Sequence, residues 1–130
     1  MKKKNKFMQK NEEEIKEYIH KNKLNACRTQ SGLYYVIVQK GVGKIPTPNC
    51  NVSIAYIGYL TNGHIFDKSE SLEINLSVVI DGWKEGLSYF KEGGEGILLV
   101  PSHLAYGSAD YGSIPGGSVL IFDILLSRVF

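Results

Sequence analysis

A run of alternating apolar residues that ends in Asn62-Gly63 constrains the fold more than any other feature of this sequence. Side chains of a β-strand point alternately to its two faces, so this alternation predicts a strand with one buried face. Asn-Gly then predicts a hairpin, because both central positions of the tightest hairpin turns require positive φ. The return strand would carry Ile65-Phe66-Asp67. The alternating positions are Val52, Ile54, Tyr56, Gly58 and Leu60.

Further segments have the composition of strands. Residues 33–39 are rich in Tyr and Val, and residues 97–100 and 119–129 have the continuous apolar character of buried strands. Apolar residues alternate again at Leu72, Ile74, Leu76 and Val78, which predicts a third strand run after the hairpin.

One short helix is predicted between these strands. Asp81-Gly82 would open it, apolar residues recur at helical spacing, and Gly93-Gly94 would stop it. We therefore predict an α+β fold, in which a twisted antiparallel sheet of five to six strands wraps around one short α-helix. The apolar residues of the helix are Trp83, Leu87 and Phe90.

Residues 1–30 are predicted to form an N-terminal tail and helical arm, in front of a main domain at 31–130. Asn11 followed by Glu12-Glu13-Glu14 is typical of a helix start, with a capping side chain and negative charge near the positive end of the helix dipole. The amphipathic helix that follows would be too short for a coiled coil, so we expect it to pack against its own domain. Lys2-Lys3-Lys4 is expected to be a solvated, disordered tail.

Composition narrows the classes of function. A chain of 130 residues with 43% hydrophobic residues can fill one core, and a net charge of +2 gives no reason to expect a nucleic-acid partner. No segment approaches the roughly 18 apolar residues that are needed to cross a bilayer. Phe7-Met8 is followed by polar residues, so no export leader is visible, and we expect a cytoplasmic protein. An exported bacterial protein without its leader is the alternative.

Motifs for metal binding or covalent catalysis are absent from the sequence. Cys27 and Cys50 have neither CxxC spacing nor neighbouring zinc ligands, and a disulfide between them is left open. The three histidines are scattered, so we expect neither a metal nor a cofactor. No nucleophile elbow, zinc-protease motif or phosphate-binding loop occurs. The glycine-rich loop 101–118 is long enough to suggest a functional role.

An ordered series of short motifs resembles the FKBP family of peptidyl-prolyl cis-trans isomerases. Each motif alone is weak, but the series is highly specific and covers about residues 31–130. The motifs are Val52–Gly58 (family pattern V-x-V-x-Y-x-G), Asn62–Ser69 (D/N-G-x-x-F-D-x-S), Val79–Leu87 (V-I-x-G-W-x-E-G-L), Val100-Pro101 with Leu104–Gly107 (I-P-x-x-L-A-Y-G), Ile114-Pro115 and Leu120–Asp123.

The resemblance implies a proline-binding cavity between the sheet and the short helix. Trp83 would form its floor, and the Tyr106 hydroxyl and the backbone N–H of Ile80 would donate to substrate carbonyls. Asp67 would border the twisted amide, and Ile114 would flank the mouth. The implied catalytic residues are Tyr56, Phe66, Asp67 and Tyr106, and the implied substrate-binding residues are Leu72, Val79, Ile80, Trp83, Ile114 and Phe122.

Two departures from the family pattern concern the walls of this cavity. Leu72 stands where many members have an aromatic residue, and Gly116-Gly117 replaces a usual second proline. We expect both to change affinity for particular peptides and for macrolide inhibitors without abolishing activity. The implied partners are proline-containing peptides and unfolded protein clients, and we expect a monomer.

Two other functions are compatible with the sequence. The same fold could act as a chaperone-like peptide-binding module with little turnover, which a peptide isomerisation assay would distinguish. The chain could instead be a structural partner that docks through the helix from Glu12 to Lys23. That alternative predicts oligomers whose size depends on concentration.

Overall fold

The sheet of this protein is entirely antiparallel. The computed structural model describes residues 2–130, with side chains from Phe7 onward, and within them six strands form one sheet. Their order across it is β1-β2-β5-β6-β3-β4, so β6 joins the β2-β5 half to the β3-β4 half. The strands are β1 (Cys27–Arg28), β2 (Tyr34–Gln39), β3 (Asn51–Tyr59), β4 (Ile65–Asn75), β5 (Glu95–Val100) and β6 (Leu120–Val129).

A short helix, α2 (Asp81–Gly86), packs against the inner face of the sheet and completes the main core. Gly82 and Gly86 allow this close approach, because a Cβ at Gly82 would lie 2.4 Å from Val100 Cγ1 and one at Gly86 would lie 2.6 Å from Leu98 Cδ1. A 3₁₀ turn at Leu87–Tyr89 continues the helix. Together with the sheet, this helix confirms the predicted α+β fold.

The N-terminal helix, α1 (Lys2–Lys21), covers part of the outer face of the sheet. Ile15 is fully buried there against Tyr34 and its neighbours. The helix ends in a Schellman motif, in which the N–H of Leu24 bonds the carbonyl of Ile19 at 3.0 Å and Lys23 has a φ of +53°. The arm therefore packs against its own domain.

The predicted start of α1 at Asn11 is wrong. Asn11 lies within the helix and is fully buried, because its side chain bonds to distant backbone instead of capping. An Asn followed by glutamates has the same local pattern in both situations, so the sequence does not separate them. The tail predicted at Lys2-Lys3-Lys4 falls at the start of α1, and the side chains of residues 2–6 lie outside the described part of the chain.

The turn between β3 and β4 is a three-residue turn and not the predicted two-residue one. The N–H of Gly63 donates to the carbonyl of Leu60 at 2.9 Å, and the N–H of Leu60 donates to the carbonyl of His64 at 2.9 Å. Gly63 has a φ of +92°, whereas Asn62 keeps a negative φ and accepts a bond from the His64 N–H through its side chain. Asn therefore closes an Asx-type turn here, and the glycine alone supplies the left-handed position.

The strand runs predicted at residues 65–67 and from Leu72 form one strand, β4. A bulge at Glu70-Ser71 shifts the register, so the alternation on the two sides is out of phase and looks like two strands. The strand ends at Asn75, and Leu76–Val78 forms a 3₁₀ turn where the sequence predicts strand. The Asn75 side chain stabilises this turn by accepting a bond from the Ser77 N–H at 2.9 Å.

Both cysteines have free thiols, Cys27 exposed on β1 and Cys50 half-buried before β3. Among the side chains from Phe7 onward, no three His, Cys, Asp or Glu residues come together in a way that could hold a metal ion. In residues 2–130, no helix is long and apolar enough to cross a membrane.

Candidate active site

A cavity of about 360 Å³ lies between the inner face of the sheet and the start of α2. Nine of the ten residues proposed from the sequence contact it, and Ile114 is the exception. The structure therefore brings these side chains together, while their roles in catalysis stay predictions. Three further contacts, Ile74, Val78 and Tyr111, were not expected to line it. The nine predicted residues are Tyr56, Phe66, Asp67, Leu72, Val79, Ile80, Trp83, Tyr106 and Phe122.

Four aromatic rings pack edge-to-face around the cavity. Trp83 lies 5.0 Å from Tyr56 and 5.2 Å from Phe122 between ring centroids, at interplanar angles of 82° and 81°. Phe66 meets Phe122 at 5.7 Å and 86°. Such contacts place the positive edge of one ring on the negative face of the next, so each ring restricts its neighbour. The cavity wall is thus apolar and rigid.

Gly58 on β3 makes room for two of these rings. A Cβ at this position would lie 2.8 Å from Cζ of Phe66 and 2.9 Å from Cε1 of Phe122. Any side chain here would displace both rings. The glycine that follows Tyr56 by two residues is therefore part of the cavity wall, because its missing side chain leaves the space that the rings fill.

A second irregularity in β4 directs two adjacent residues into the cavity. Side chains of neighbouring residues in a regular strand point to opposite faces, yet both Phe66 and Asp67 line this cavity. Gly58 pairs with Asp67 and Tyr59 pairs with Ile65, so Phe66 is an extra residue in the ladder. Bulges of this kind redirect side chains and are common beside active sites.

The polar edge of the cavity is a bond between Tyr56 and Asp67. The Tyr56 hydroxyl donates to Oδ2 of Asp67 at 2.6 Å. Burial, and then this hydrogen bond, raise the pKa of Tyr56 far above its usual value, so the hydroxyl stays protonated. Oδ1 of Asp67 accepts no bond from the residues that the structure describes, which leaves one carboxylate oxygen available to a ligand.

Two stacked tyrosines from loop 101–118 form the outer wall. The rings of Tyr106 and Tyr111 are parallel within 3° and 4.0 Å apart. Burial raises the pKa of Tyr106, and Tyr111 and Asp67 add to the effect, so its hydroxyl is a donor at neutral pH. The sequence signal for Tyr111 was only its place in a glycine-rich loop.

Ile114 does not flank the cavity mouth as predicted. Its side chain is 6% exposed and belongs to the main core. Ile114 and Tyr111 exchange two backbone hydrogen bonds of 2.9 Å, which close a tight turn. Because the hydrophobic side chain is drawn into the core, the aromatic ring of Tyr111 takes the position at the cavity instead.

Two N–H groups at the cavity are without acceptors in the described part of the chain. Nε1 of Trp83 is buried and has no partner. The backbone N–H of Ile80 makes no hydrogen bond to residues 2–130, although the carbonyl of Ile80 accepts from Trp83 and Lys84 at the start of α2. Nε1 of Trp83 is inaccessible from the cavity, so of these two groups the Ile80 N–H is the one suited to a carbonyl-bearing ligand.

A larger cleft of about 430 Å³ lies on the outer face of the sheet. Val38, Ile57 and Leu125 contribute exposed apolar surface to it. Among the described residues that line this cleft, Tyr56 is the single aromatic one, and the ring cluster lies on the opposite face. The smaller inner cavity is therefore the stronger candidate, because only there do rings and convergent polar groups occur together.

Known proteins are similar to this chain in sequence and in fold. A family model for FKBP-type peptidyl-prolyl cis-trans isomerase matches residues 43–127. The FKBP-type peptidyl-prolyl cis-trans isomerase FkpA of Escherichia coli (strain K12) is 42% identical over 125 residues, which are 92% of this chain and 46% of the relative. FkpA of Buchnera aphidicola subsp. Schizaphis graminum is 44% identical over 104 residues, 76% of this chain and 41% of the relative. The chain spans less than half the length of these curated relatives.

Solved structures agree with the sequence comparison. The crystal structure of FkpA from Escherichia coli superposes with a TM-score of 0.84 at 38% identity, over 98% of this chain and 62% of that chain. A peptidyl-prolyl cis-trans isomerase from Pseudomonas syringae pv. tomato superposes with a TM-score of 0.79 at 30% identity, over 99% of this chain and 92% of that one. This chain belongs to the FKBP-type peptidyl-prolyl cis-trans isomerase family.

Proposed function

We propose that this chain catalyses the cis–trans isomerisation of X–Pro bonds in peptides and unfolded proteins. The observation that carries the proposal is a single cavity in which four packed rings meet a carboxylate and the unpaired N–H of Ile80. Its volume of about 360 Å³ is at the lower end of the range for small-ligand sites, which suits a proline ring and its flanking amides.

The apolar wall would lower the barrier by removing water. Resonance makes the C–N bond partly double, and rotation about it costs roughly 18–20 kcal/mol. At the transition state the amide is twisted and resonance is lost, so the carbonyl oxygen carries less negative charge. An environment poor in water then costs the twisted amide less than the planar one, and this difference favours the transition state. No nucleophile or proton transfer is required.

Hydrogen bonds would orient the substrate in this environment. The proline ring would lie over Trp83, the Ile80 N–H and the Tyr106 hydroxyl would donate to carbonyls of the peptide, and Oδ1 of Asp67 would face the twisted amide. Each donor is at the cavity and lacks a protein acceptor among the described residues. Groups that are fixed before the substrate arrives need no reorganisation during the rotation.

A protease-coupled assay with a short X-Pro-Phe peptide tests the proposal. We expect wild type to accelerate isomerisation and Phe66→Tyr to lower kcat/KM, since a hydroxyl would enter the apolar wall beside Phe122. Ser127→Ala is the matched control, because that exposed hydroxyl on β6 bonds only to the Ser53 carbonyl. Wild type that binds the peptide without accelerating isomerisation would instead identify a peptide-binding module. Full activity in Phe66→Tyr would show that the cavity is not the site.

A further inference from the structure

Asn11 is a fully buried polar residue in the middle of α1 whose contacts lie far away in the sequence. Its Oδ1 accepts from the N–H of Ser102 at 2.9 Å and from the Ser102 hydroxyl at 2.6 Å. Its Nδ2 donates to the carbonyl of Gly117 at 3.0 Å and to Glu14 at 3.2 Å. All four hydrogen-bonding positions of the amide are therefore used. The side chain ties α1 to both ends of loop 101–118.

The contacts of Asn11 close a ring of hydrogen bonds. The carbonyl of Ser102 accepts from the N–H of Gly107 at 2.8 Å, and the carbonyl of Gly107 accepts from the N–H of Gly117 at 2.9 Å. Gly117 bonds back to Asn11, and Asn11 bonds to Ser102. Members of such a network polarise and orient one another, so removing one weakens the others. The amide of Asn11 is the only side-chain group that bridges this ring between Gly117 and Ser102 among the described residues.

Phe7 adds an apolar contact at the same place. A Cβ at Gly117 would lie 2.2 Å from Cε1 of Phe7, and Gly117 also has a φ of +76°. The ring of Phe7 therefore lies directly on the Gly117 backbone. It also borders a small cavity of about 310 Å³ that has Tyr106 and Ser102 on its other sides. One face of α1 thus supports the loop from behind.

This ring sets the backbone next to a cavity residue. Gly107 directly follows Tyr106, so the bond from its N–H fixes the peptide that carries the tyrosine. Tyr106 stacks on Tyr111, and both line the candidate active site. The Tyr106 ring is held by this stacking, but its hydroxyl makes no hydrogen bond to the residues that the structure describes. The backbone ring, which places the peptide, and the stacking on Tyr111 are then the two restraints on where that hydroxyl points.

We infer that Asn11 is a positioning residue, which holds loop 101–118 from α1 so that the Tyr106 hydroxyl faces the cavity. The inference rests on the proposed isomerase function for its kinetic consequence. It gives the N-terminal helix a role in the site that its distance in the sequence does not suggest, since Asn11 is 95 residues before Tyr106.

A double-mutant cycle tests this role. Asn11→Leu removes the bridge with a side chain of similar size, and Tyr106→Phe removes the hydroxyl that it is inferred to position. We expect Asn11→Leu to lower kcat/KM about twofold to threefold in the wild-type background, no more than Tyr106→Phe does, and distinctly less in the Tyr106→Phe background. Ile15→Val is the control, because it loosens α1 at the sheet and leaves the ring intact. Its effect should be small and equal in both backgrounds.

Amide hydrogen exchange provides a reading that does not depend on turnover. Asn11→Leu should speed exchange of the Gly107 and Gly117 amides, whereas Ile15→Val should not at matched stability. If wild type has no isomerase activity, the proposed function fails, but the inference about Asn11 can still be tested. The same double-mutant cycle is then applied to the dissociation constant of a proline peptide, which is followed by Trp83 emission. Should Asn11→Leu not fold, Ser102→Ala removes one bond of the ring and takes its place. Equal losses in both backgrounds, or unchanged exchange, would overturn the inference.

Discussion

The Tyr56 hydroxyl donates a 2.6 Å hydrogen bond to Oδ2 of Asp67, and this bond holds the carboxylate at the edge of the aromatic cavity. Tyr56 is itself held between Trp83 and Phe122 by ring contacts. The charge at the cavity is therefore oriented by the same side chain that builds its wall. Changes at either residue of this pair should affect both the shape of the cavity and the position of its negative charge.

Asp67→Val should lower kcat/KM for an X-Pro peptide about tenfold or more, because it removes a preorganised polar group and leaves the Tyr56 hydroxyl without an acceptor. Asp67→Asn keeps an acceptor for Tyr56 and should lower kcat/KM less. The two variants are compared in the protease-coupled assay, and unfolding curves verify that both fold. An unaltered rate in Asp67→Val would remove this carboxylate from the proposed mechanism.

Tyr106→Phe should have a smaller effect, about twofold to fivefold on kcat/KM, which corresponds to one hydrogen bond to a substrate carbonyl. The ring and its stacking on Tyr111 would be kept. Steady-state kinetics beside Asp67→Val measure the difference. A loss as large as that of Asp67→Val would mean that the hydroxyl does more than orient a carbonyl.

Trp83 offers a direct view of ligand entry, since it is the only tryptophan in the chain. Its ring is 5% exposed and lies at the cavity, so a proline peptide placed over the indole should change its emission. Fluorescence titration with an X-Pro peptide and with its X-Ala counterpart separates specific from general effects. Identical responses to both peptides would argue against proline recognition over Trp83.

Lys23→Gly should stabilise the fold by about 1 kcal/mol, because Lys23 occupies the left-handed region at the end of α1 and glycine has no Cβ to clash there. Glu17→Gly, at an exposed position inside the same helix, should destabilise the fold by about the same amount. Urea unfolding of the two variants and of wild type measures whether each change raises or lowers the free energy of unfolding. Destabilisation by both would show that the αL position carries no strain.

Glu12 should make stability depend on acid pH. It accepts bonds from Nε of Arg28 at 3.0 Å and from the Tyr34 hydroxyl. Burial alone raises the pKa of Glu12, but the bonds from Arg28 and Tyr34 outweigh it and hold this pKa below 4.5. Because the pKa of Glu12 is lower in the folded chain than in the unfolded chain, Glu12 stabilises the fold at any pH above its unfolded pKa. This contribution is lost as the pH falls through the folded pKa.

The unfolding midpoints of wild type and Glu12→Gln should therefore differ near neutral pH and converge as the pH falls through the folded pKa of Glu12. Glu13→Gln, at an exposed position of the same helix, is the matched control and should show no such convergence. Tyr34 makes stability depend on pH in the opposite direction, in alkali, because its pKa is raised to about 12 by burial and by Glu12. Its stabilising contribution is present below pH 10 and is lost as the pH rises towards 12.

The sheet and α2 could be predicted because their signals are local. Alternation along β3 places Tyr56 and Gly58 on the inner face, and the helical spacing of Trp83 and Leu87 places both in the core. The ordered motifs then connect residues that no single segment relates. The nine cavity contacts were predicted from the resemblance of these motifs to the FKBP family, because the faces of single strands and helices do not identify which residues meet across the fold.

What was missed depends on interactions between distant segments. Asn11 has the local features of a helix cap, and only its bonds to Ser102 and Gly117 reveal a buried bridge. Ile114 was expected at the cavity mouth, but the tight turn it forms with Tyr111 places its side chain in the core, and Tyr111, for which no position was predicted, lines the cavity. The bulge at Glu70-Ser71 also breaks an alternation that would otherwise have shown β4 as one strand.

The place of β6 between β5 and β3 has a consequence for how the chain reaches this structure. During synthesis the β3-β4 hairpin can pair as soon as it emerges, but the β2-β5 half has nothing to join it until residues 120–129 leave the ribosome. Pairs such as Ser53 with Arg128 span most of the domain, and such long loops close slowly. The nascent chain therefore exposes two unpaired sheet edges, on β5 and β3, until β6 pairs with both, and unpaired edges of this kind favour aggregation.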